Sequence, residues 1–532
     1  MFIRSRVARR PAAFGILRIL CCLVIASALA GCIAGAAADG DVDVRIGASE
    51  PFTWDPAQAG DSGSANVLAQ VFEGLTAFDS DSQVQPALAD SWQASEDGRQ
   101  LTFHLRPGIV FSDGTPITAA DFVGSWLRLI DPRRPSPLSS LLADVQGALE
   151  HRAGQVTADA VGFRADGDNV IVDLRRPATY FLAVTASPSL AVVPPSMYGR
   201  LDLPPPPEIV VSGAYVPTLA PGVITLTGNP NYWAGLPPLD HVELVTDYGN
   251  KSGVTAFDDT DVDYTGIGAG DASWIRYDER LGPQLRRSTD FTVSYYGFDT
   301  IAPPFDRPEV RLAFAKAVDW DRLVRLSDGL PATSMVPAGI PGRDEADHRP
   351  TYDPQAARDL LSGAGYTNPA DFPDVVLATY GVGFEETVAA QLEENLGVTV
   401  NVEVHDFADY IGRQHGPGSP GIWTLAWSAD YPHPHDFLGL LLETGSTSND
   451  GGWSNAEYDA LIEQAAATAD PAEQAVFYAQ AQDILQRDAP VVPLAYGESW
   501  ALARDGLLGA QEAGVGIIRI AGLDWAPGTG RP

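Results

Sequence analysis

A multi-lobed α/β protein is the architecture the sequence predicts, and three observations predict it. Stretches with strand-like alternation take turns with stretches of helical period along the chain. Proline-rich crossings separate them, the stiffest being "PPPP" at 204–207, which marks a lobe boundary. No internal repeat with a period of roughly 20–50 residues points to a solenoid or propeller. The chain has 532 residues, 45% of them hydrophobic, enough for about two to four domains with large cores.

The first segment is an address. Arg4, Arg6, Arg9 and Arg10 precede the apolar run "FGILRILCCLVIASALA", and "LAGC" follows at once, ending in Cys32. This reads as a lipoprotein signal peptide over 1–31, with Cys32 lipidated as the first mature residue. An ordinary signal peptide with a chance cysteine is the other reading. The run is short for a spanning helix and holds Arg18. Residues 32–40 read as a flexible tether, and the chain is expected on the extracytoplasmic face of the cell membrane, anchored through lipid.

Next, "VDVRIGA" (42–48) alternates like a strand, and "GSANVLAQVFEGLTAFD" reads as an amphipathic helix running into a turn. "QLTFHLRPGIVFSDGTPIT" gives a strand, a turn and an extended segment. "TAADFVGSWLRLIDP" is a helix with Thr118 as N-cap, Asp121 three residues on, and "DP" as its stop. "PEVRLAFAKAVDWDRLVRL" and "NAEYDALIEQAAATADPAEQAVFYAQAQDILQRDA" are the clearest helical stretches, and "PVVPLAYG" is a buried strand.

Charge and cysteine usage exclude whole classes. The net charge of −35 becomes more negative once the arginine-rich leader is removed, so the surface repels nucleic acid and anionic lipid. Cys21 and Cys22 lie in the leader and Cys32 carries lipid, so the mature protein has no thiol for catalysis, thiolate metal binding or a disulfide. "GDSGS" (60–64) resembles a protease nucleophile segment but precedes a helical pattern with no paired histidine; a Gly/Ser turn capping a helix fits better. "DDTDVDY" (258–264) has the rhythm of a calcium loop, yet counting from Asp259 puts Tyr264 and Gly270 where the loop needs Gly and Glu. No phosphate loop occurs, so any ATP use belongs to a partner. Neither metal nor cofactor is expected, and the chain reads as no enzyme.

One stretch near the C-terminus raises competing readings: "WSADYPHPHDFL" (427–438). His433, His435 and Asp436 invite a metal reading, but prolines on either side read as a rigid extended loop with surface histidines, and no second cluster is near. The aromatic cluster of Trp423, Trp427, Tyr431 and Trp453 surrounds Asp430. Core packing accounts for any one tryptophan. A carboxylate among aromatics needs a cation or hydrogen-bonding partner, supplied by Arg413, by His415, or by a ligand ammonium.

Over nearly its whole mature length the chain resembles the family 5 extracellular solute-binding proteins of ABC importers, the oligopeptide and dipeptide binders. The likeness rests on ordered motifs: 71–132, from "VFEGLTAFDSDSQVQPALADSW" to "LIDP"; "GNPNYWAGLPPLDHVEL" (228–244); "PPFDRPEVRLAFAKAVDWDRLV" (303–324); "YDPQAARDLLSGAGY" (352–366); and "WSADYPHPHDFL". The resemblance implies a two-lobed periplasmic-binding-protein-like fold with an inserted domain and a hinged cleft. Lobe I would take 41–66, 205–296 and 491–532, the inserted domain 67–204, and lobe II 297–490. It further implies a monomer that captures short peptides and delivers them to an ABC permease with separate ATPase subunits. Asp430 would meet the peptide ammonium beside Trp427 and Tyr431. Glu50 in "SEPFTWDP" matches an acid of the family near the mature start, and Arg413 would pair with a peptide carboxylate. His433 stands where the family often has an acid, which keeps a second reading open: the same scaffold binding an oligosaccharide, opine, haem or metal chelate.

Overall fold

The computed structural model describes residues 42–531 except 80, 202, 382, 407–409, 411–420, 447 and 511–513. Cys32 and Arg413 lie outside the described residues. Strand Val44–Gly47 turns Val44 and Ile46 into the core and pairs in parallel with His241–Val245 and Tyr264–Ile267. Val223–Gly228 and Tyr215–Ala220 extend this half with antiparallel pairing. On the other side Tyr264–Ile267 pairs with the end of the long strand Val491–Ala503. That strand runs beside Leu285–Phe298, which continues the sheet into Ile422–Ser428, Val375–Thr379 and Val400–Val404. One hydrogen-bonded sheet of 11 strands results, its two halves joined through the two long strands.

Each half buries its own apolar material. Val44, Leu68, Tyr215, Leu226 and Val242 fill one core. The other half has two, one around Phe298, Phe314 and Leu377 and one around Val293, Trp423 and Phe437. A separate antiparallel sheet of Ala89–Ala94, Gln100–Leu105, Phe163–Asp166 and Asn169–Asp173 holds another core. Helix Ala119–Leu129 packs on that sheet, with Trp126 edge-on to Phe163 at 5.3 Å between centroids.

Helix boundaries follow the capping chemistry. Asp121 accepts from both the backbone N–H and the hydroxyl of Thr118, each at 2.7 Å, which anchors the start of Ala119–Leu129. The "GDSGS" turn caps a helix: Asp61 accepts from the Ser64 N–H at 2.7 Å ahead of Ser62–Val71. The two long helical stretches each divide in two. Asp319 caps Trp320–Leu326 after Pro308–Ala317 ends, and Asp470-Pro471 restarts the chain as Pro471–Asp488 after Ala456–Ala467. An aspartate that accepts free amide N–H groups is worth more at a helix start than inside one. Among the described residues no helix is long and apolar enough to cross a membrane.

The two long strands are not evenly paired. Thr289 faces Glu498 and Val293 faces Tyr496, so residues 290–292 lie opposite Gly497 alone. This bulge falls where pairing passes from one half of the sheet to the other. A side chain at 497 would have no room: a Cβ there would stand 2.9 Å from Cβ of Thr292 and 3.1 Å from Cβ of Asp290. Freed from the ladder, the Phe291 backbone donates to Gly514 O at 2.7 Å and accepts from Ala429 N at 2.8 Å. Bulges bend and twist strands where they occur.

The segment after the first strand is tied to the inserted sheet's helix by a buried ion pair. Asp55, with no exposure, takes Nη1 and Nη2 of Arg128 at 2.8 and 2.5 Å. Asp55→Ala leaves that guanidinium buried and unpaired, so stability should fall by about 3–5 kcal/mol; urea denaturation should show a lower midpoint with an unchanged slope.

Candidate functional site

The site begins where the strand Ile422–Ser428 runs out. Its last residues pair with the bulged strand, Trp427 opposite Val293 and Ser428 opposite Thr292. Ala429 then bonds the bulge at Phe291, and the chain turns. Pro434 opens helix Pro434–Leu442 at its first position, where a missing N–H costs nothing. Asp436 in the first turn of that helix reaches back: its Oδ2 accepts from Trp427 Nε1 at 2.9 Å and from the Asp430 N–H at 3.2 Å. The indole and the Asp430 backbone are thereby held by one oxygen.

Asp430 itself is half-buried, and no cationic side chain among the described residues pairs with its carboxylate. Burial pushes its carboxyl up to about 6, because a charge is disfavoured away from water. Asp436 has no exposure, and burial first, then the Asp430 charge, push it well above the usual carboxylate range.

The expectation of surface histidines on an extended loop does not hold. His433 is the helix N-cap: its Nδ1 accepts from the His435 N–H at 3.2 Å, while Nε2 is hydrogen-bonded to Gln474 Oε1 at 3.0 Å. Burial pushes the His433 imidazole down to about 4. His435 is wholly buried, bonded to the Tyr431 hydroxyl at 2.9 Å and stacked on Tyr180 with centroids 3.6 Å apart. The prolines start a helix rather than extend a loop, and the helix turns both imidazoles inward. Tyr431 is 2% exposed and also stacks on Tyr180. It packs into the core of the inserted sheet and does not face open space. Tyr180 donates to Asp144, which also takes Arg176 Nε at 2.8 Å; Arg176 in turn reaches Glu443 at 2.7 Å.

A cavity of about 370 Å³ is bordered by Ser49, Asn66, Gln70, Tyr248 and Thr265. It sits past the carboxyl ends of the parallel strands, the usual ligand position in α/β sheets. Glu50 is exposed next to Ser49. The C-terminal stretch 514–520 connects the two sides. Gly514 O accepts from Phe291, Gly516 O from Asn66 at 2.6 Å, and Ile518 O from Gln70 at 2.7 Å. The structure thus brings Trp427 and Asp430 together with Asp436. It places Tyr431 behind them and Glu50 on the cavity side.

Sequence reasoning weighed Asp436 only as a metal ligand and missed its grip on Trp427. Its spacing of six residues from Asp430 was the signal, legible once a helix was assigned from Pro434. Asn66 and Gln70, one helical turn apart, were the signal for the cavity wall. Among the described residues no group of three or more His, Cys, Asp or Glu is placed to hold a metal ion.

Residues 83–449 match the family described as bacterial extracellular solute-binding proteins, family 5 Middle. The probable deoxycholate-binding periplasmic protein YgiS of Escherichia coli (strain K12) is 30% identical over 467 residues, covering 84% of this chain and 86% of its own length. The periplasmic oligopeptide-binding protein OppA of Salmonella typhimurium is 29% identical over 482 residues, 86% and 88% of the two chains. The periplasmic murein tripeptide-binding protein MppA, in its unliganded open form, superposes with a TM-score of 0.78 at 25% identity, over 92% of this chain and 98% of that one. The two-lobed binding-protein fold expected from the resemblance is the fold of this chain.

Since Asp430 keeps its proton to about pH 6 in the folded protein while the unfolded chain loses it near the ordinary value, the folded state holds more proton between those limits. Stability attributable to Asp430 therefore falls as pH rises through that window and stays reduced above it. Asp430→Asn should melt roughly 1–3 °C above wild type near neutral pH and level with it at about pH 4, as read by differential scanning calorimetry.

Proposed function

The chain belongs to the bacterial extracellular solute-binding proteins of family 5, and from that premise we propose that it captures short peptides between its lobes and delivers them to an ABC importer. One observation carries the reading: Asp430 is a half-buried carboxylate with no cation of its own among the described residues. A positive charge arriving with the ligand would satisfy it, and a peptide α-ammonium is such a charge. Meeting a fixed carboxylate offsets the cost of desolvating that ammonium, which makes a free N-terminus the common requirement. Trp427 would line the adjoining wall. The rest of the peptide would lie extended along the cleft toward the cavity beside Ser49 and Glu50, bonded through its backbone, so that affinity does not depend on side-chain identity.

In this reading 41–66, 205–296 and 491–532 form lobe I, 67–204 the inserted domain and 297–490 lobe II, with the bulge at 290–292 absorbing the change of angle as the lobes close. Arg413 is assigned to a peptide carboxylate. Cys32 carries the lipid that tethers a monomer outside the membrane, next to a permease whose separate ATPase subunits supply the energy. The protein binds its solute and does not transform it.

The identity to YgiS, named for deoxycholate, favours a second reading in which the scaffold takes another solute. A bile acid brings a carboxylate rather than an ammonium, so an ionised Asp430 would repel it. Calorimetric titration separates the two. Unmodified short peptides should bind, and N-acetylation of the peptide or Asp430→Asn should each weaken binding by at least about thirtyfold, the loss of roughly 2 kcal/mol. Equal binding of acetylated peptides, or tight binding of deoxycholate indifferent to Asp430→Asn, would hand the assignment to the second reading.

A further inference from the structure

We propose that Asp436 is the positioning residue of the ligand-binding carboxylate, and that it holds Trp427 and Asp430 in place as an uncharged acid, leaving the site one negative charge. The proposal rests on the reading of Asp430 as the partner of a ligand ammonium.

Two donors converge on one oxygen. Trp427 Nε1 and the Asp430 N–H both reach Asp436 Oδ2, at 2.9 and 3.2 Å. The first bond fixes the indole plane; the second fixes the turn from which the Asp430 side chain projects. Oδ1, equally buried, has no hydrogen-bond partner among the described residues. An ionised carboxylate with a bare buried oxygen and no counter-charge is far more costly than a neutral acid in the same place.

Among the described residues the surrounding groups offer no counter-charge. On the same stretch, Asp430 is an acid itself, His433 is engaged with Gln474, and Tyr431 is bonded to His435. Burial, reinforced by Arg176, holds His435 well below its ordinary range, so that imidazole is neutral. From the inserted domain, Arg176 is committed to Asp144 and Glu443, and the Tyr180 hydroxyl to Asp144. Helix Pro471–Asp488 contributes the neutral phenol of Tyr478. Burial and the neighbouring Asp430 charge act on Asp436 in the same direction, toward the protonated form. Two charges at this spot would favour a dication. One charge with a neutral acid behind it matches a ligand carrying a single ammonium, so Asp436 contributes to specificity without touching the ligand.

The ligand-free mature protein tests this directly by NMR of the Asp436 carboxyl carbon and the Trp427 indole N–H. The carboxyl should keep the shift of a protonated acid at pH values well above the usual carboxylate range. Asp436→Ala should move the indole resonance, and Asp436→Asn, which keeps an accepting oxygen and no charge, should restore it. With trialanine as probe, Asp436→Ala should bind at least about tenfold more weakly than wild type, and Asp436→Asn should recover to within about threefold. A carboxyl that titrates in the usual carboxylate range, or an asparagine variant as impaired as the alanine one, overturns the proposal. If Asp430→Asn leaves trialanine binding intact, the assignment of Asp430 falls instead, while the ligand-free titration still decides the state of Asp436.

Discussion

The backbone of Phe291 is the constraint on which the rest of the molecule depends. Three residues of one long strand face a single glycine of the other, so the ladder cannot continue across the junction between the two halves of the sheet. The amide and carbonyl released there do not go to water. Phe291 binds Gly514 on one side and Ala429 on the other, and so gathers the C-terminal stretch, the end of the Ile422–Ser428 strand and the bulge at one point. Unpaired backbone groups away from solvent are costly. The bulge therefore holds this convergence in place and bends the sheet where its two halves meet.

The turn that carries Asp430 inherits its placement from that point. One residue after Ala429 comes Asp430, and Asp436 catches its amide from the helix that follows. Both carboxyls sit where ionisation is disfavoured. Among the described residues Asp430 is half out of water with no cationic partner; in the proposed function, a ligand cation relieves that cost and so concentrates binding energy on one chemical group. The inserted domain takes part from behind, since Tyr180 stacks on both Tyr431 and His435. Buried Asp144, with half-buried Arg176 and Glu443, holds the Tyr180 hydroxyl at one end of that stack.

Much of this was legible in the chain. The capping box at Thr118 and Asp121, the cap formed by Asp61, the first strand and the strand beginning at Val491 all follow from local chemistry, and local chemistry is what a sequence displays. The aromatic setting of Asp430 was legible for the same reason: Trp423, Trp427 and Tyr431 flank that one acid within a short span. The inward turn of the two histidines was not. Proline at 434 reads equally as a stop or as a helix start, and the choice was made by Asp436 reaching back to Trp427 and by Tyr180 arriving from some 250 residues upstream. Tyr431 likewise lies beside the site by sequence distance alone, whereas its ring packs into the core of the four-stranded antiparallel sheet.

By itself, then, the sequence determined the alternation of elements, their caps and the family, because each depends on neighbours within a few turns or on motifs in order. The tertiary structure alone decided which acid is half-exposed and which is sealed, which ring faces the core, and where the long strands fall out of register. Those outcomes depend on desolvation and on partners hundreds of residues apart, and the free energy of burying a charge or a ring is set by everything that packs around it.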